Sequence, residues 1–323
     1  MKQTSYPKSL PPKHFTSPFS RCILTTDNLN LSPGFFLVVA IGTHPIYLPT
    51  IPRDWLASDS GKRLLKFQVP ASDPRECTFS LKIVEKVKLP LPVHFKRLRE
   101  VHWYHDLSRN CHYFISPEMK SCIDWNKREL SLELFFPADP AVLTDLDKVL
   151  IQLRLLISFL TVNAGGLPLH CSAVYKNTKA LVFFGHSGSG KTTIARIMKN
   201  RNWNLLNDEY NLLLPDGESY RVYSTPFTRR APDLINEPGG ISVQNLFHLA
   251  RGSFNVEPEP VEKQIKSLLQ SVYLFPDFSG NREQLLDTVI SVCSRLPPKK
   301  LYFINDDETA VLLDSYNAET LHE

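Results

Sequence analysis

Residues 181–193 read Leu-Val-Phe-Phe-Gly-His-Ser-Gly-Ser-Gly-Lys-Thr-Thr. An apolar run, Ala180–Phe184, comes directly before the pattern G-x-x-x-x-G-K-[ST], and a helical pattern follows it. Apolar strand, glycine-rich loop and helix are the context in which this pattern binds nucleotide phosphates. By composition alone the pattern would occur in roughly one chain in a hundred or fewer. The sequence therefore predicts a phosphate-binding P-loop over Gly185–Thr192.

The residues of this loop have separate predicted roles. Gly185, Gly188 and Gly190 let backbone N–H groups converge on an anion without obstruction by a Cβ atom. The helix that begins near Lys191 adds its unpaired N–H groups and the positive end of its dipole. We expect Lys191 to contact the β- and γ-phosphates and Thr192 to give its hydroxyl to Mg2+. The predicted ligands are ATP or a related nucleotide and Mg2+, and the remaining nucleotide-binding residues are His186, Ser187, Ser189 and Thr193.

An acidic pair follows the P-loop at a short distance. A predicted strand over residues 203–206 leads into Asn207-Asp208-Glu209, so Asp208 lies seventeen residues after Lys191. A phosphoryl-transfer site needs a carboxylate that holds the metal or accepts the proton of an incoming hydroxyl. Asp208 is predicted for either task and Glu209 as its partner at the metal. The alternative is a pair of acids that only starts a turn.

Periodicity and turn residues predict the other elements. Residues 21–138 contain short strand-like runs, including 35–39, 79–84 and 130–135. Helices are predicted over about residues 140–162, 191–200, 261–273 and 282–296, and strands over 167–174, 180–184 and 301–304. We expect residues 163–166 to end the first helix and Asp307 to cap a short terminal one.

Composition excludes several classes of protein. The chain is 42% hydrophobic and 22% charged, with a formal net charge of +4, which argues against a nucleic-acid partner. The apolar run 34–42 is too short to span a bilayer, so no membrane partner is expected. The six cysteines include no C-x-x-C pair, which favours reduced thiols and a cytoplasmic location. His102, His105 and Asp106 lack a known metal-ligand spacing and are predicted to be structural.

A histidine before the loop completes a family pattern. His170 lies fifteen residues before Gly185. The order of His170, P-loop and Asp208-Glu209 resembles the catalytic C-terminal domain of the HPr kinase/phosphorylase family. The segment Gly240–Phe247 is similar to that family's segment after its glycine-rich signature. Thr225-Pro226-Phe227 resembles the wider set of HPr-kinase-related proteins, which includes kinases from peptide-modification gene clusters.

The resemblance implies a fold, an activity and residue roles. The fold would be α/β (α+β), with a phosphoenolpyruvate-carboxykinase-like P-loop domain and a mixed sheet over residues 141–323. A loose tail (1–20) and a smaller β-rich domain of unknown role (21–140) would precede it. The implied activity is phosphoryl transfer to a serine hydroxyl of a protein or peptide, by a chain that forms a homo-oligomer in some relatives. The resemblance makes Asp208 the general base, places Glu209 near the metal and places His170 beside the phosphates.

Departures from that family leave the acceptor open. His186 stands where the family has Asp, Thr193 stands where it has Glu, and residues 236–238 lack its signature arginine. Arg229 or Arg230 could supply that charge instead. Two other functions therefore remain: a nucleotide-dependent regulatory module without kinase activity, and a phosphotransferase acting on a small molecule.

Overall fold

The computed structural model describes residues 37–48, 56–69, 79–83, 87–89, 96–98, 101–117, 119–134, 145–228, 239–273 and 282–319. The predicted tail over residues 1–20 lies outside these ranges, as do Arg229, Arg230 and residues 236–238. Within the described ranges the chain has an α/β fold with two mixed sheets. The predicted fold class is therefore confirmed.

The N-terminal sheet is built from short alternating strands. Its elements in the described residues are β1 (Leu37–Ile41), β2 (His44–Leu48), α1 (Asp59–Leu65), β3 (Phe79–Ile83), β4 (Lys96–Leu98), β5 (Val101–Asp106), β6 (Cys111–Ile115), β7 (Met119–Asp124) and β8 (Glu129–Leu134). The order is β1-β2-β3-β8-β7-β6-β5-β4, parallel at β2/β3 and β3/β8 and antiparallel elsewhere. In β7 every second side chain is buried, as expected for a sheet with one face on the core.

Helix α2 (Asp145–Asn163) joins the two sheets through one core. Its apolar positions recur at helical spacing, and Leu153 and Ile157 are fully buried, each worth about 2 kcal/mol of burial free energy. Gly165, at φ +75, ends the helix, and the N–H of Gly166 donates to Thr161 O at 2.9 Å. This is the predicted glycine C-cap. No helix in the described part of the chain is long and apolar enough to cross a membrane.

The C-terminal sheet carries the P-loop. Its strands are β9 (Leu167–Leu169), β10 (Cys171–Lys176), β11 (Lys179–Phe184), β12 (Asn204–Asn207), β13 (Asn211–Asp216), β14 (Ser219–Tyr223), β15 (Ile241–Arg251), β16 (Asn255–Pro258) and β17 (Lys299–Phe303). The helices are α3 (Lys191–Lys199), α4 (Val261–Ser271), α5 (Arg282–Arg295) and α6 (Asp307–Glu319). The order is β12-β10-β11-β15-β14-β13-β9, with β17 parallel to the far part of β15 and β16 paired with β17.

Two local predictions are wrong. The segment 167–174 is not one strand, because it breaks at His170, whose N–H donates to Ser271 O at 2.8 Å instead of to a neighbouring strand. The terminal helix is capped by Asp306 and not by Asp307, because Asp306 Oδ1 accepts from Thr309 N at 2.8 Å. The predicted domain boundary at residue 140 falls between β8 and α2, and the independence of the two parts stays a prediction.

Two histidines of the N-terminal sheet are buried and have lowered pKa values. Burial lowers the pKa of His44 to about 4, and no partner for its Nε2 occurs among the described residues. Burial also lowers the pKa of His112 to about 3, and His105, whose ring lies 3.9 Å away, adds to this. Trp125 Nε1 donates to His112 Nδ1 at 2.8 Å, which fixes the neutral ring.

We expect acid to destabilise the protein through these two side chains. The unfolded chain binds protons near pH 6.5 while the folded chain does not, so the free energy of unfolding falls as the pH drops below 6.5. Between pH 6.5 and pH 5 each histidine should contribute about 2 kcal/mol, measured by urea unfolding. His44→Phe should remove about half of this loss, whereas the exposed control His102→Gln should not. An unchanged pH dependence in His44→Phe would contradict this assignment.

Candidate active site

Strand β11 holds the P-loop at the centre of the C-terminal sheet. It pairs antiparallel with β10 on one side and parallel with β15 on the other. Its residues Ala180–Phe184 are fully buried, because a strand covered on both faces has no polar side. The loop leaves this strand at Gly185 and enters α3 at Lys191. The loop is therefore anchored at both ends by the core.

The start of α3 requires glycine. Gly190 is the N-cap residue, at φ +98. A Cβ atom there would lie 2.6 Å from Cζ of Phe303, at the end of β17. Gly188, at φ +80, has no atom within 4 Å of its ideal Cβ position. The two glycines therefore share a left-handed backbone but differ in the space around them.

The ammonium group of Lys191 is hydrogen-bonded to the backbone of the P-loop. Its Nζ donates to Gly185 O at 2.9 Å and to His186 O at 3.1 Å. An ammonium group has three N–H bonds, so one donor is left for a phosphate. Burial lowers the pKa of Lys191. The hydroxyl of Ser189 is also buried in the loop and has no hydrogen-bond partner among the described residues, which fits a loop built to surround an anion.

His170 and the acidic pair lie on the two strand segments that border a gap in an antiparallel ladder. Strand β9 pairs with β13 through Leu169 and Asn211, and β10 pairs with β12 through Ala173 and Asn207. Both pairings have the same register, so the two segments would form one continuous ladder if residues 170–172 paired with residues 208–210. The unpaired residues are 170–172 on one chain and 208–210 on the other. This gap brings together two predicted site elements that are far apart in sequence.

Two buried asparagine amides hold the gap open. Asn207 Oδ1 accepts from the N–H of Glu209 at 2.9 Å, and its Nδ2 donates to Thr225 O at 2.9 Å. Asn211 Nδ2 donates to Cys171 O at 3.0 Å. Both amides are fully buried, and each makes hydrogen bonds to backbone atoms, although Asn211 Oδ1 has no partner among the described residues. They therefore replace the missing ladder bonds and fix the acidic turn.

Asp208 is oriented by a second loop. Thr228 Oγ1 donates to Asp208 Oδ1 at 2.9 Å, and the carboxylate is largely buried. Thr225 Oγ1 donates to Tyr210 O at 2.7 Å, and the ring of Phe227 lies edge-on to the ring of Tyr210 at 5.6 Å. The segment Thr225-Pro226-Phe227, singled out by resemblance alone, therefore supports the acidic turn.

Electrostatics place the predicted residues in one neighbourhood. Burial lowers the pKa of His170, and the positive charges of Lys191 and Arg154 lower it further, whereas Glu209 and Asp208 raise it. At neutral pH the imidazole is therefore uncharged. His186, by contrast, is exposed, and its Nδ1 lies 2.7 Å from Ser187 O. Thr192 is exposed on the first turn of α3 and Thr193 is half-buried.

A second charged cluster lies beside the loop and was missed by sequence reasoning. The ring of His248, on β15, stacks on Phe184 at 5.3 Å. His248 Nδ1 lies 3.0 Å from Glu259 Oε1 and 3.2 Å from Lys300 Nζ. The carboxylate of Glu259 is buried, and such a charge needs these partners. No sequence motif marks this cluster, because it depends on the parallel pairing of β11 with β15.

The donors present fit Mg2+ better than a metal held by protein ligands alone. Among the described residues, no group of three or more His, Cys, Asp or Glu side chains could hold a metal. Mg2+ needs only one or two carboxylates, because phosphates and water complete its shell. Thr192, Asp208 and Glu209 could provide such a partial set. Asp106, in the region judged structural, caps a turn by accepting from Ser108 N at 3.0 Å.

Comparison with known proteins gives a partial match. The phosphoenolpyruvate carboxykinase family profile matches residues 150–219, from α2 to β14. The matched segment contains the P-loop and the acidic pair Asp208-Glu209. One similar solved structure is the Hpr(Ser) kinase/phosphatase from Coxiella burnetii, at 9% identity and a TM-score of 0.30, covering 47% of this chain and 97% of that one. These values are too low to transfer residue roles. No curated protein matches the chain.

The difference between Gly188 and Gly190 can be tested by alanine substitution. Gly188→Ala should lower the free energy of unfolding by about 1 kcal/mol, the cost of a left-handed alanine. Gly190→Ala should lower it by about 3 kcal/mol, because it also drives a methyl group into the ring of Phe303. Chemical denaturation of both variants measures the difference.

A double-mutant cycle isolates the clash. In the Gly190→Ala background, Phe303→Leu should cost less than it does in the wild-type protein, since the smaller side chain relieves the contact. Equal losses for the two glycine variants, or additive effects of Gly190→Ala and Phe303→Leu, would refute the packing of Phe303 against the loop.

Proposed function

We propose that the chain is an ATP- and Mg2+-dependent kinase that transfers a phosphoryl group to a serine hydroxyl of a protein or peptide. The observation that carries this proposal is the ladder gap, which has His170 on one strand segment and Asp208 and Glu209 on the other. The charge of Lys191 acts on the same imidazole, so the gap lies beside the P-loop. Phosphoryl transfer requires a phosphate-binding loop and a carboxylate close to it.

Each side chain has a task in this proposal. The N–H groups of the loop and of the first turn of α3 bind the phosphates, and Lys191 neutralises their charge. Bound Mg2+ would supply further charge neutralisation, held by Thr192 and by Asp208 or Glu209. Thr228 occupies one oxygen of Asp208. The other oxygen is proposed to accept the proton of the incoming hydroxyl as a general base.

His170 is proposed to act as a neutral hydrogen-bonding group beside the phosphates. Its lowered pKa keeps it uncharged at pH 7, so it can donate from one ring nitrogen and accept at the other. Its backbone is held outside the ladder by Ser271. The choice of serine as the acceptor rests on the resemblance to HPr-kinase-related proteins, as do the proposed cytoplasmic location and a homo-oligomeric state.

A small-molecule acceptor is the second candidate. The profile that matches residues 150–219 is that of phosphoenolpyruvate carboxykinase, whose name gives a small substrate. Incubation with γ-labelled ATP and a cell extract, followed by mass spectrometry, separates the two candidates by the size of the labelled product. Tight ATP binding with no labelled product would favour the third candidate, a nucleotide-dependent regulatory module.

Asp208→Asn is expected to separate binding from transfer. The variant keeps the acceptor atom for Thr228 but loses the base, so the transfer rate should fall by a factor of about 100 to 10,000. The dissociation constant for ATP, measured by calorimetry, should stay within about threefold. Asp216→Asn is the matched control, because Asp216 lies on β13 and pairs with Arg221 at the surface.

Lys191→Ala gives the opposite outcome. It removes the ammonium group from the loop, so we expect nucleotide binding itself to be lost. Transfer at the wild-type rate by Asp208→Asn would rule out its role as the base, and unchanged ATP affinity in Lys191→Ala would rule out the P-loop as the nucleotide site.

A further inference from the structure

Arg154 is a half-buried cation at the edge of the candidate site. It interrupts the apolar face of α2, and its guanidinium Cζ lies 4.1 Å from the centroid of the Tyr273 ring. Such contact holds the guanidinium plane in place, and is worth about 1 kcal/mol. The Arg154 side chain is thus oriented before any ligand binds.

Tyr273 connects Arg154 to both segments that border the ladder gap. The N–H of Tyr273 donates to Pro168 O at 2.7 Å, two residues before His170. Its ring lies edge-on to that of Tyr210 at 5.3 Å, and Tyr210 directly follows Glu209 in sequence. Tyr273 therefore contacts Pro168, two residues before His170, and Tyr210, directly after Glu209. Arg154 stacks on the same Tyr273 ring.

The electrostatics agree with this position. The positive charge of Arg154 acts on the pKa of His170 and on that of Tyr210. At the P-loop a different arginine, Arg251, lies with its Nη2 3.4 Å from Gly188 O. Arg154 thus lies beside the ladder gap.

The guanidinium of Arg154 has no carboxylate of its own. Among the residues that the structure describes, it makes no hydrogen bond or ion pair, whereas Arg221 pairs with Asp216 at 2.7 Å. A half-buried guanidinium presents N–H donors in a planar fork that matches a carboxylate or a phosphate. Leaving such a charge without a counter-ion is unfavourable. The geometry therefore favours an oxyanion ligand at this position.

We propose that Arg154 binds a carboxylate or phosphate of the acceptor and so selects acceptors with an anionic group close to the reacting hydroxyl. This proposal rests on the proposed kinase function. The nucleotide supplies the other possible oxyanion, but the phosphates of ATP are expected at Lys191 and the loop, where Arg251 lies close to Gly188. An acidic residue near the acceptor serine would meet Arg154, while the hydroxyl meets Asp208.

Two pools of single-serine peptides test this selection. One pool carries Asp or Glu next to the serine, and the other carries Asn or Gln at the same positions. With γ-labelled ATP, the wild-type protein should phosphorylate the acidic pool at least about tenfold faster. Arg154→Gln should abolish this preference, Arg154→Lys should keep part of it, and the exposed control Arg196→Gln should keep it fully. A preference that survives in Arg154→Gln would overturn the proposal.

Two binding measurements separate this proposal from the kinase function. Arg154→Gln should leave the dissociation constant for ATP within about threefold, and a tenfold loss would assign Arg154 to the nucleotide and overturn the inference. Inorganic phosphate should bind the wild-type protein saturated with Mg2+ and a non-hydrolysable ATP analogue, and should not bind Arg154→Gln. Phosphate binding that depends on Arg154, with no peptide phosphorylated, would support the oxyanion site and contradict the peptide kinase. Failure of phosphate to bind the wild-type protein, together with equal rates for both pools, would overturn the inference alone.

Discussion

The site depends on two chains that are kept from pairing. Residues 167–173 and 207–213 run antiparallel in one register, so closing the middle of the ladder would add backbone hydrogen bonds worth about 1 kcal/mol each. The amides of Asn207 and Asn211 offset this by bonding the backbone of the acidic turn, the loop at Thr225 and Cys171. If they were replaced by apolar side chains, the gap that separates His170 from Asp208 would lose its support.

The P-loop relies on strands that come much later in the chain. Phe303 of β17 lies under Gly190, and His248 of β15 stacks on the last residue before the loop. Glu259 and Lys300 then balance the charges around that imidazole. The short motif thus fixes the backbone of the loop locally, whereas its position and rigidity come from contacts more than sixty residues away.

Local chemistry explains which features could be predicted. Residues that are neighbours in sequence determine the P-loop, the start of α3 and the glycine at the end of α2. These features could therefore be predicted from the sequence. The break at His170 could not be, because the run Leu167–Val174 is apolar on both sides of it and the interruption comes from Ser271 and Asn211. The role of Arg154 could not be predicted either, since only the fold brings the ring of Tyr273 against it.

The charges around His170 restrict which ligands the candidate site can accept. Two cations, Lys191 and Arg154, and the carboxylates of Glu209 and Asp208 act on the imidazole of His170. In the proposed kinase a nucleotide phosphate would compensate Lys191, and Mg2+ would compensate the carboxylates. An uncharged acceptor would still leave the half-buried guanidinium without a counter-ion, at an unfavourable free energy. In the proposed kinase an anionic acceptor would remove that penalty while its hydroxyl approaches Asp208, so the charges that are proposed to hold ATP would also discriminate among acceptors.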